Sequence, residues 1–94
     1  MPRFQVAHVK VQGIDLIIIP LDSSFGRYGL VQQQDMISEL QMQAYNAGLA
    51  GTVVPVWDGG GGRMAFLAPQ NWHPFFSNLT LAWVGANINR QLFW

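Results

Sequence analysis

The chain has 94 residues, half of them apolar, with 11% charged and no cysteine. Its five basic and five acidic residues cancel, which argues against nucleic acid as a partner, because phosphate neutralisation needs a basic stripe. The missing cysteines exclude disulfides, thiolate catalysis and cysteine-based zinc sites.

This length makes one domain, 1–94, with a core just large enough to stand without staples. Soluble domains usually carry about 25% charged residues, yet residues 64–89 contain no Asp, Glu, Lys or Arg. Net charge normally keeps molecules apart in solution. Its absence here points to a homo-oligomer, most simply a dimer, with another protein as a further candidate partner. The longest apolar run, 16–19 with its flanks, is too short to span a bilayer. The first residues lack the apolar stretch of a signal peptide. The expected setting is therefore cytoplasmic, with no membrane partner.

In chain order, residues 4–11 alternate, with Phe4, Val6 and His8 on one face and Gln5, Ala7, Val9 and Val11 on the other, as in a strand. Gln12 and Gly13 form the break. A second strand over 14–19 is apolar on both faces, which places it centrally in a sheet, and Pro20 ends it. Residues 20–30 are rich in turn formers. A helix follows over 31–47, with Met36, Ile37, Leu40, Ala44 and Ala47 at the 3.6-residue period and Gly48 as its left-handed cap. A third strand over 52–57, a turn of Asp58 and four glycines, and a fourth strand over 63–68 come next. A loop over 69–78 leads to a final helix from about Leu79 onward, capped by Ser77 or Asn78.

The expected fold is α+β with two layers, in ββα-ββα order: a four-stranded mixed sheet with two helices. The step from the second strand through the helix to the third predicts a parallel pair.

Three segments hold candidate functional residues. On the last helix, Trp83, Asn87, Arg90 and Trp94 share the face turned from the core, and tryptophan beside arginine is the composition of interface hot spots. The loop with Asp22, Ser23 and Ser24 follows a strand end, where α/β sheets tend to bind ligands, although an Asx-turn uses the same residues. The loop with Trp72, His73 and Phe75 has the aromatics of a ligand pocket, or of a plug for the open end of the core. A small-molecule site would combine these two loops. The segment from Asp58 to Arg63 lacks the Gly-Lys-Ser/Thr ending of a phosphate loop and reads as a hairpin tip. His8 reads as a strand residue with a hydrogen-bond partner. Two histidines and scattered carboxylates give no metal-ligand spacing, no cofactor motif and no catalytic set, so an enzyme is the least favoured reading.

The stretch Ile14-Asp15-Leu16-Ile17-Ile18-Ile19-Pro20-Leu21-Asp22-Ser23-Ser24-Phe25-Gly26, with Ala50-Gly51-Thr52-Val53-Val54-Pro55-Val56-Trp57, resembles small bacterial proteins of mobile elements, of the integron gene cassette kind. The resemblance implies a bacterial cytoplasmic setting and little else. The expected function is a non-catalytic domain that self-associates or binds protein.

Overall fold

A computed structural model describes residues 3–93. Five strands form one mixed sheet: β1 (Arg3–Val11), β2 (Ile14–Pro20), β3 (Thr52–Asp58), β4 (Met64–Phe66) and β5 (Arg90–Phe93). Their order across the sheet is β4-β3-β2-β1-β5. Three helices accompany them: α1 (Leu30–Asn46), α2 (His73–Ser77) and α3 (Leu81–Ala86). The α+β class, the mixed sheet and the parallel β2–β3 pair agree with expectation.

β1 and β2 join through Gln12 and Gly13, both at positive φ (53° and 78°). A two-residue turn with positive φ matches the twist of the strands it connects. β2 is the centre of the molecule, and Leu16, Ile17, Ile18 and Ile19 are completely buried. Alternation sends them to opposite faces. Leu16 and Ile18 join Ala7, Val54, Val56, Trp72, Phe76 and Val84 in one cluster. Ile17 and Ile19 join Val6, Leu40, Ala44, Val53 and Leu92 in the other. Each such aliphatic side chain contributes about 1.5–3 kcal/mol on burial, so β2 anchors two cores at once.

Those two clusters correct the two-layer expectation. α1 covers one face of the sheet, and α2 with α3 covers the other. Helices on opposite faces make three layers, as befits a central strand apolar on both sides.

The four-stranded sheet and the ββα-ββα order also need correction, at the C-terminal end. The expected final helix stops at Ala86, where Asn87 bonds through its backbone N–H to Val84 O and through Nδ2 to Trp83 O at 2.8 Å. Those bonds satisfy carbonyls that a helix end leaves open. The chain then becomes β5, antiparallel to β1, with Arg90 opposite Val6 and Leu92 opposite Phe4. The apolar spacing of Val84, Ile88 and Leu92 suits a helix, but Val84 and Leu92 lie on opposite faces of the sheet.

The expected loop over 69–78 contains a short 3₁₀ turn and α2, with proline in the first turn of the helix, where its missing N–H costs nothing. Trp72 and Phe76 are buried there, so this segment does plug one core. The fourth strand is shorter than expected. Leu67 N–H donates to Pro55 O at 3.2 Å, but proline has no N–H to return. The regular ladder is confined to the other side of Pro55, between Val56–Asp58 and Met64–Phe66.

Candidate functional site

The parallel pair has its carboxyl ends at Pro20 and Asp58, and a cavity of about 500 Å³ opens there. As β2 exits, Leu21 N–H donates to Val56 O at 2.7 Å, keeping the outgoing chain against β3. Asp22 then accepts the Ser24 N–H on Oδ1 at 3.0 Å and caps a 3₁₀ turn over Ser23–Arg27. That bond to Ser24 is the main cause of an Asp22 carboxyl held below its ordinary value, with the Arg27 charge a minor one.

The turn is fixed by aromatic packing. Phe25 is buried and meets the Trp57 ring edge-on at 4.9 Å. Next to it, Gly26 lies so close to the indole that a Cβ there would sit 2.6 Å from Trp57 Nε1. Only glycine fits without moving the tryptophan.

Ser23, Gly26 and Arg27 form one wall of the cavity, and Trp57, Asp58, Gly59, Gly60 and Ala65 form the other. Asp58 Oδ1 accepts Gly60 N–H at 2.8 Å, which orients the carboxylate at the root of the glycine hairpin. Arg27, Asp58, Ser23 and Trp57 thus line one space of small-molecule size. Of the sequence candidates, Ser23 lines this cavity. Asp22 and Ser24 shape the turn behind it.

Trp72, His73 and Phe75 contribute nothing to these walls. Trp72 is in the core beside α2, with Phe75 against it at 5.8 Å. The His73 ring donates from Nε2 to Ala68 O at 3.0 Å and packs edge-on against Phe66. The cavity that includes Ser23 is thus completed by the 57–60 segment. Trp57, Arg27 and Asp58 escaped the sequence reading, being a strand residue, a loop residue and a turn residue with no shared motif. The signal available was the parallel β2–β3 step, since it makes the two strand ends neighbours.

The proposed interface residues are also dispersed. Trp83, half-buried on α3, packs against the core and meets Phe75 edge-on at 6.3 Å. Asn87 caps α3. Arg90 lies in β5, with Nη1 donating to Asn89 O at 2.8 Å. Trp94 lies outside the described residues. A common helical face for these residues therefore does not form.

What the structure places at that end is a sheet edge. Among the described residues, β5 has β1 on one side and no strand on the other. His8, two residues beyond Val6, directs its N–H and C=O toward Asn89. Val6 and Phe4 therefore point the same way, toward Arg90 and Leu92, and the backbone groups of Gln91 and Phe93 face outward by alternation. Phe93 is 64% exposed.

Among the described residues, no group of three or more His, Asp or Glu converges as a metal site, and no helix is long and apolar enough to cross a membrane. No family model matches the chain, and no curated protein or solved structure matches it either.

Proposed function

We propose that this chain is a non-catalytic, self-associating domain, and that two copies pair β5 against β5 across a two-fold axis. The observation that carries the reading is the outward edge of β5. Natural edge strands are blunted by lysine, proline or bulges. Arg90, Gln91, Leu92 and Phe93 offer one charge and no proline. An antiparallel edge is self-complementary, so the same strand serves both partners, and the zero net charge removes long-range repulsion.

Both histidine rings support the non-catalytic part. His8 donates from Nε2 to Ala50 O at 2.8 Å, and His73 bonds Ala68 O. Among the described residues neither ring bonds a serine, a threonine or a carboxylate, so neither histidine is paired with a nucleophile or an orienting acid.

Sedimentation velocity across a concentration series tests the proposal. The expected result is a reversible dimer that Gln91→Pro converts to a monomer. That change removes an outward N–H while leaving the Arg90–Val6 and Leu92–Phe4 pairings in place. A wild-type monomer at the highest concentration, or a dimer unaffected by Gln91→Pro, overturns it.

A further inference from the structure

We propose that the cavity at the carboxyl ends of β2 and β3 binds a small zwitterion, a molecule with a carboxylate and a nearby ammonium group, such as a free amino acid. The proposal is independent of self-association, because the cavity and β5 lie toward opposite edges of the sheet.

The first observation is an unused donor. Trp57 is only 8% exposed, and buried indole N–H groups usually find a partner. Its Nε1 hydrogen-bonds to none of the described residues, yet among those residues no unpartnered side-chain nitrogen or oxygen is sealed from solvent. The N–H must therefore open outward, and it lies beside Gly26, another residue of the cavity wall. The missing side chain at Gly26 leaves that approach clear. An acceptor entering the cavity takes the place of water on a donor that has no partner among the described residues.

The second observation is the charge on the walls. Arg27 supplies one cation and Asp58 one anion. Asp58 already uses Oδ1 for the Gly60 N–H, which leaves its second oxygen for a ligand donor. A carboxylate fits between the Arg27 guanidinium and the Trp57 N–H, both donors only. An ammonium group then faces Asp58. A phosphate dianion would set two negative charges against one arginine and would also face Asp58. The neutral pair of walls matches a ligand that is itself neutral overall. The volume of about 500 Å³ accommodates an amino acid with a side chain of any size.

The test is titration of the ¹⁵N-labelled full chain while the Trp57 indole N–H resonance is followed, assigned by connectivity to its backbone. The probes are L-serine, L-leucine, L-glutamate and L-arginine, with acetate, methylamine and inorganic phosphate as comparison arms. The expected result is a saturable shift of the Trp57 resonance with at least one amino acid, and none with the three comparison compounds. Arg27→Gln, at an exposed position, is expected to weaken that binding about tenfold or more, through loss of a charge-assisted bond. Asp58→Asn is expected to weaken it too, by removing the ammonium's counter-charge. The Gln91→Pro variant is expected to bind as the wild type does. Absence of a saturable Trp57 shift with all four amino acids up to about 10 mM, saturation by phosphate, or unchanged binding in Arg27→Gln would each overturn the proposal.

Discussion

Gln41 and Asn89 each use one side-chain amide to bond both a C=O and an N–H of a strand that has run out of neighbour, but their surroundings differ. Gln41, on α1, donates to Gly51 O at 3.1 Å and accepts Val53 N–H at 2.9 Å. It covers the part of β3 that β4 does not reach. Asn89 accepts His8 N–H at 2.9 Å and donates to His8 O at 2.9 Å, extending the β1–β5 ladder by a step. The Gln41 bond to Val53 is part-buried and its bond to Gly51 exposed, whereas both Asn89 bonds are exposed. The same chemistry is thus set against different alternatives: water can replace Asn89 freely, but the acceptor that Gln41 gives to Val53 only poorly.

The largest effect is expected at Gln41. Gln41→Ala leaves a part-buried N–H without its acceptor, which costs about 1–3 kcal/mol, measurable as a lower denaturant midpoint. Asn89→Ala is expected to cost about 0.5–1.5 kcal/mol, with faster hydrogen exchange at the His8 amide and little change at Val53. Equal losses at the two positions would mean that burial does not set the cost.

A smaller effect is expected from the link between the two amides. The His8 ring reaches Ala50 O, one residue from the carbonyl that Gln41 holds, so a chain of bonds joins the two amides. The double variant is therefore expected to depart from the sum of the single losses by more than the ~0.3–0.5 kcal/mol typical of unconnected sites. A sum within that margin would show that the link transmits nothing.

The smallest effect belongs to Asp22, which also stands in for a backbone partner but does so in open water. Its carboxyl is lowered in the fold, chiefly by the Ser24 N–H. The stabilisation is therefore present above the unfolded value of about 3.9 and is lost as pH falls through the lower folded value. Asp22→Asn keeps an acceptor oxygen, so its stability is expected to lack this acid-dependent increment. Parallel wild-type and variant unfolding curves through that range would show that Asp22 contributes nothing.

The elements visible in the sequence were those whose period repeats long enough to exclude alternatives. Seventeen residues of α1 and the doubly apolar β2 are of that kind. β5 was hidden because Val84, Ile88 and Leu92 are spaced as one helix face. What opposes that reading is spatial: β1 has Val6 and Ala7 both completely buried, so it needs cover on both faces and a neighbour at its outer edge. The cavity was half visible. The rule that ligands gather at the carboxyl ends of strands leads to the 22–26 turn, but the aromatic 69–77 segment was its expected partner. Trp57, Asp58 and the glycines meet that turn only after β3 has aligned with β2, and no spacing within either segment encodes the meeting.

Gly51 and the glycine hairpin set opposite rules for anyone altering this chain. Gly51 has φ 123°, and a Cβ there would come within 2.5 Å of Asp15 O. The last step of the α1–β3 crossover therefore passes against the beginning of β2 with no room for a methyl group, let alone an inserted residue. Gly61 and Gly62 also have positive φ, but a Cβ at either would meet nothing within 4 Å. Peptide tags, inserted domains or relocated chain ends belong at that tip, where the fold supplies space, although the positive φ of Gly61 and Gly62 still favours glycine at those two positions.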